Sequence, residues 1–205
     1  MLTLDHLVVS ATGLATGTAQ IEGLLGVGLE PGGQHGFMGT HNTLLSLGPS
    51  AYLEVISIDP NAPAPDRPRW FGLDQFSGSA RLTNWVCRSD DIEQDLAAAP
   101  DEMAELFDAE RGDLRWKMAL TSGGQYPFGG AFPGMIEWQG AAHPADRLAD
   151  RGVRLVSLTL HHPQADDLSL ALTRLSDDVP VSIVQSAQAG LVATLRTPVG
   201  EVQLR

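Results

Sequence analysis

One cysteine, Cys87, is all the thiol chemistry this 205-residue chain contains. No internal disulfide can form, and the paired spacings of a zinc finger are absent. Basic residues are also scarce: 13 Lys and Arg stand against 25 Asp and Glu, a formal net charge of −12. Nucleic acid and anionic membrane surfaces are polyanions, so neither is an expected partner. No uninterrupted apolar run reaches the roughly 18 residues of a membrane span, and no basic segment followed by an apolar core opens the chain. A cytoplasmic protein is therefore expected. Missing too are a G-x-S-x-G elbow, a P-loop and a dinucleotide fingerprint after a strand; Gly32-Gly33 does not open a helix.

What the chain does have is repetition. Its residues are 43% hydrophobic, enough for one sizeable domain or two small ones sharing a core. Leu4–Ser10 reads as a strand and Leu14–Gly26 as an amphipathic helix stopped by glycine. A Gly-rich passage over residues 29–39 reads as one ragged strand, followed by the strands Asn42–Leu47 and Ala51–Ile58. The proline-rich Asp59–Arg69 is aperiodic and reads as a linker, with a short helix over Trp70–Phe76. The same order then returns. Leu82–Arg88 is a strand, and Asp90–Ala99 a helix capped by Ser89. Met103–Ala109 and Leu114–Leu120 are strands, and Pro133–Trp138 is the fourth strand after a loop. A short helix over Ala145–Arg151 leads to a third block, made of Leu155–His161, the helix Asp166–Leu175 and three closing strands. The repeat divides the chain into βαβββ modules at 1–60, 81–144 and, in degenerate form, 145–205, with a linker at 61–80. The expected class is α+β, with the modules paired into a curved mixed sheet or open barrel around a cleft.

Superposing the first two blocks aligns polar residues that interrupt apolar strands. His6 falls on Asn84, and Glu54 on Glu137. A carboxylate among apolar neighbours is costly unless paired, solvated or bound to a cation. If the blocks pack by a pseudo-twofold, an imidazole, an amide oxygen and two carboxylates face one cavity. That set suits a hard or borderline divalent ion.

With these residues in view, the chain resembles the vicinal oxygen chelate superfamily, and more closely its glyoxalase-like domain proteins. The DHLVV start and the YLEVI strand with its upstream GTHN carry the resemblance. It implies paired βαβββ modules whose first and last strands supply metal ligands. His6, Glu54, Asn84 and Glu137 then hold the four ligand positions, Asn84 departing from the usual His, Gln or Glu. Ser157 and Gln203 hold the equivalent places in the third block, which is expected to carry no metal. The implied cofactor is a divalent ion (Zn, Ni, Mn, Fe or Mg). The implied chemistry is that of an isomerase or lyase acting on a small oxygen-rich substrate through an enediolate, with Glu54 or Glu137 as the general base. The alternative is a metal-free protein that binds or sequesters a small molecule. In either case the partner is a small-molecule ligand. The third block caps the sheet edge or pairs with its counterpart in a homodimer.

Further candidates surround these. Thr40, His41 and Asn42 are placed to line the cleft mouth, and Trp116, Tyr126 and Phe128 to form a ligand lid. Trp85 and Trp138 alternate with Asn84 and Glu137 along their strands, so they are expected in the core. His35 reads as an exposed loop residue, with a general base as the alternative, His143-Pro144 as a turn, and Cys87 as an inert buried thiol.

Overall fold

The computed structural model describes residues 1–103 and 105–205. Its first module runs β1 (Thr3–Ser10), α1 (Leu14–Leu25), β2 (Glu30–His35), β3 (Thr40–Ser46) and β4 (Tyr52–Ile58). Helix α1 ends at Gly26, whose φ of 70° closes the last turn in the left-handed region. The buried face of α1 is Gly17, Ile21 and Leu25. A Cβ on Gly17 would come within 2.4 Å of the Ala11 Cβ, so glycine there lets the helix seat closely on the sheet.

The second module runs β5 (Arg81–Arg88), α2 (Ile92–Leu96), β6 (Glu105–Arg111), β7 (Leu114–Leu120) and β8 (Gly134–Trp138). The expected strand Met103–Ala109 includes Ala104, which lies outside the described residues. Helix α2 is shorter than the sequence predicts. Its N-cap is Asp91, which accepts a hydrogen bond from the Gln94 N–H, while Ser89 accepts one from the Asp91 N–H. The segment before β5 forms a short 3-10 turn at Trp70–Gln75.

The two modules build one eight-stranded sheet in the order β2-β3-β4-β1-β5-β8-β7-β6. Within each, the first strand pairs in parallel with the last: β1 with β4, and β5 with β8. The modules join where β1 and β5 pair antiparallel. The sheet curls into a half-barrel, so its outer strands β2 and β6 approach each other across a cleft.

The third block is β9 (Arg154–His162), α3 (Ala165–Ala171), β10 (Val181–Gln185), β11 (Gly190–Thr197) and β12 (Gly200–Leu204). Its elements follow the predicted order but are wired differently, as β10-β9-β11-β12. Here β9 takes its parallel partner directly after the helix, so the last strand is left at the sheet edge. The block is stitched to the first two modules by backbone bonds from Leu82 N–H to the Arg205 carbonyl (2.9 Å) and between Leu2 and the chain at Arg174 and Ser176. Leu158, Leu160 and Leu195 belong to the same core as Leu7, Trp85 and Met135. Among the described residues no helix is long and apolar enough to cross a membrane.

Candidate active site

The curled sheet encloses a cleft of ≈ 420 Å³, counting the space open to solvent. Its walls are apolar and aromatic: Leu44, Trp70, Phe71, Trp116, Met118 and Trp138. Its polar residues are His6, His35, Asn42, Tyr52, Glu54 and Arg111. Phe71 holds a φ of 59°, a left-handed conformation that is rare for an aromatic residue, and its ring stacks on that of Tyr126.

At the base of the cleft, His6 Nε2 lies 3.6 Å from Glu54 Oε2. That separation is too long for a direct hydrogen bond and leaves room for the atom of a ligand or water to bridge them. Both side chains are fixed from behind. Asn42 Nδ2 donates to Glu54 Oε1 at 2.5 Å, while Asn42 Oδ1 accepts from the Gly33 N–H at 2.7 Å. His6 Nδ1 donates to Asp5 Oδ1 at 2.7 Å, and its ring stacks on Tyr52.

Strand alternation should send Asp5 and His6 to opposite faces. The pairing of β1 with β5 slips between Leu4 and His6, so Asp5 sits in a β-bulge. The bulge lets the carboxylate reach the neighbouring ring. Asp5 is fully buried and also accepts from Trp138 Nε1 (2.9 Å) and His143 Nε2 (3.0 Å). The His143 tautomer follows, because its Nδ1 accepts from the Ala145 N–H and its Nε2 therefore carries the proton. Burial alone would raise the Asp5 carboxyl. Hydrogen bonds donated by His143 and His6 outweigh burial and hold it well below the usual carboxylate range.

His35, expected in an exposed loop, is instead buried in the cleft wall. Its Nε2 accepts from Arg111 Nη1 at 2.9 Å, and its Nδ1 donates to Thr40 Oγ1 at 3.1 Å. Burial, followed by the positive charge of Arg111, pushes His35 down to about 3, so the ring is neutral at physiological pH.

Of the four expected metal ligands, the structure brings His6 and Glu54 together and leaves Asn84 and Glu137 elsewhere. The strand register explains why. Opposite pairs His6↔Val86 and Val8↔Asn84 set a twofold relation between β1 and β5 that carries His6 to Asn84 and Val8 to Val86. Val8 pairs with Glu54, and Val86 pairs with Gly134. The structural counterpart of Glu54 is therefore Gly134. A Cβ there would lie 3.1 Å from the Tyr126 ring, which fills the space a side chain would need. Glu137 is an odd number of residues further on and faces outward. Its Oε2 accepts from the Ile92 N–H at the start of α2, at 2.8 Å. Trp138 accordingly turns inward and forms part of the cleft wall rather than the core that strand alternation predicts for it. Asn84 lies under the Gly130 backbone in a separate hollow shared with Phe71 and Tyr126.

Among the described residues, no group of three or more His, Cys, Asp or Glu is arranged to hold a metal ion. The cleft offers two free donor atoms, His6 Nε2 and Glu54 Oε2, because Asp5 and Asn42 hold the other atoms of these two side chains. This donor set does not supply the four ligands that the resemblance implied.

The remaining expectations divide. Trp116 lines the cleft from β7, and Asn42 does so from β3. Thr40 is buried and serves to hold His35. His41 alternates away from them, and its Nε2 is buried without a hydrogen-bond partner. Phe128 packs edge-on against His162 of the second sheet, with ring centroids 5.2 Å apart. Sequence periodicity missed Asp5 because a bulge is silent in the alternation of strand residues. It missed Arg111 because the end of a hairpin strand carries no motif.

No curated protein matches the chain. Among solved structures, the chain is similar to a hypothetical protein from Staphylococcus aureus, at 13% identity, 92% coverage of this chain and 88% of that one, with a TM-score of 0.63. Methylmalonyl-CoA epimerases are more distant. That of Streptomyces coelicolor in complex with 2-nitronate-propionyl-CoA is 14% identical over 69% of this chain and 100% of its own, with a TM-score of 0.44. That of Mycobacterium tuberculosis is 15% identical over 68% and 88%, with a TM-score of 0.42. The description of the glyoxalase-like domain family matches residues 4–176. The paired βαβββ wiring agrees with that match over both modules, and the chain belongs to the glyoxalase-like domain family.

Proposed function

We propose that the cleft binds a small, largely apolar molecule bearing a carbonyl group, and that Glu54 and His6 move a proton on it in an isomerase-type reaction without a metal ion. One arrangement carries this reading: a carboxylate and an imidazole face the same few ångströms of space at the closed end of an apolar cleft, each oriented by a buried partner. Glu54 takes a proton from the carbon next to the carbonyl. The C–H electron pair becomes a C=C bond, and the carbonyl pair moves to oxygen. The imidazolium form of His6, its Nδ1–H held by Asp5, gives its Nε2 proton to that oxygen and recovers it when the carbonyl re-forms. Returning a proton to carbon completes the isomerisation with no net oxidation. The aromatic walls lower the local dielectric and so strengthen each of these interactions.

The test is solvent deuterium incorporation, followed by proton NMR in deuterated water with phenylacetone and phenylpyruvate as probes. The protein should accelerate loss of the signal from the carbon next to the carbonyl. Glu54→Gln should slow that exchange by about a hundred-fold or more while retaining the shifts that report binding. Binding without exchange in the unmodified protein would overturn the catalytic reading. It would leave the second one, sequestration of a small molecule, which the missing polar half of the second module favours.

A further inference from the structure

The cleft holds one cation, and its charge is not neutralised by the protein. Arg111 ends β6 and lines the cleft at its half-buried rim, whereas His6 and Glu54 lie deep and buried. Among the described residues, no carboxylate lies within ion-pairing distance of its guanidinium. Arg69, Arg154 and Arg174 pair with Asp74, Asp150 and Asp95, and among the described residues the other arginines without a carboxylate partner, Arg81, Arg151, Arg196 and Arg205, are exposed to solvent. Arg111 instead donates one hydrogen bond to His35, a neutral acceptor. It also packs against Gly33, where a Cβ would come within 2.8 Å of its Cδ and Nη1. These contacts fix the side chain without cancelling its charge. A guanidinium has five N–H donors, so several are left for a ligand. The surrounding walls, Trp70, Phe71 and Trp116 among them, are apolar and strengthen whatever ionic contact forms there.

We propose that Arg111 binds the carboxylate of the ligand, and that the cleft takes small monocarboxylates with an aromatic or branched apolar body. A carboxylate held at Arg111 leaves the rest of the molecule to the aromatic walls and its far end to His6 and Glu54. A second carboxylate at that far end would meet the Glu54 charge, which is why the preferred class is a monoanion. The inference rests on reading the cleft as a ligand site, but not on proton transfer there.

The test is a binding comparison of phenylacetate with phenylacetamide, matched in shape and differing in charge, by calorimetry or ligand-observed NMR. The unmodified protein should prefer the carboxylate by about ten-fold or more, the worth of one charge-assisted hydrogen bond. Arg111→Gln should abolish the preference, bringing carboxylate binding down to the level of the amide. Arg111→Lys, which keeps the charge, should retain part of it, and added salt should weaken carboxylate binding only. Equal binding of the two probes, or binding of neither, overturns the proposal. If Arg111→Gln weakens both probes alike and lowers the melting temperature, the residue is a strut between β2 and β6, and the proposal also fails. Neither probe carries a ketone carbonyl, so the adjacent C–H of each is far less acidic than that of the exchange probes. A carboxylate preference without deuterium exchange would therefore retain this inference while sinking proton transfer.

Discussion

Replacing His35 by Gln should remove a measurable part of the protein's sensitivity to mild acid. In the folded chain burial pushes His35 down to about 3, against an ordinary value of 6.5. Its folded form therefore stays neutral while the unfolded chain takes up a proton as pH falls below 6.5. The unfolded state binds more protons throughout that interval, so stability declines from about 6.5 down towards 3. Between pH 8 and pH 5 the expected loss from this one ring is about 2 kcal/mol, from the linkage relation with an unfolded value of about 6.5. With a urea dependence of about 2 kcal/mol per molar, the unfolding midpoint should shift by about 1 M more in the native protein than in His35→Gln. The measurement is urea unfolding at the two pH values for both proteins. The other histidines contribute to both and cancel in the double difference. Gln can still accept a hydrogen bond from Arg111, so the substitution tests the titration rather than the contact. Equal pH dependence in the two proteins would refute the reasoning, because it would mean His35 is as easily protonated folded as unfolded.

Two further substitutions probe the frame around the cleft. Asp5→Asn puts an amide where a buried ionised carboxylate receives three N–H groups, and should cost about 2–4 kcal/mol in urea unfolding. The same change should flatten the acid limb of the stability profile: a depressed carboxyl stabilises the fold above its unfolded value and loses that contribution as pH falls through about 4 towards the folded value. A cost below about 0.5 kcal/mol would contradict the role given to the Asp5 hub. Glu137→Ala should lower stability by about 1 kcal/mol through loss of the bond to the Ile92 N–H, with phenylacetate binding unchanged. Altered binding would mean that Glu137 reaches the cleft after all.

The repeat was legible because strand and helix periodicities survive divergence of individual residues. Element order alone gave the paired modules and put His6 and Glu54 in one cavity, since each lies on the inner face of a strand in the same module. Reading the second module by alignment of letters failed at Glu137, because matching YLEV to MIEW ignores the hydrogen-bonded register that pairs Val86 with Gly134. An odd offset along a strand reverses the face, so the same error that brought Glu137 inward sent Trp138 outward. The third block illustrates the limit of element order itself: strands in the same sequence can close in a different order, and only long-range pairing decides which. Asp5 and Arg111 were hidden for other reasons, one by a bulge and the other because its partner is 76 residues away in the chain.

These misses share a cause that bears on function. The two modules keep a common backbone plan while their inner faces have diverged. The first supplies the polar residues: His6, Glu54 and Asn42, with His35 behind Arg111. The second supplies aromatic bulk from Trp116 and Trp138, and fills the place of the missing carboxylate with Tyr126. A symmetric fold has thus become an asymmetric cleft, polar on one side and aromatic on the other. The single charge contributed from the second module, Arg111, sits at the rim and is held by the first. Such a division favours a ligand with a polar edge and an apolar face, oriented by one ion pair. It does not favour a small symmetric chelator held by a central ion, because that ligand needs donors converging from both modules and only one provides them.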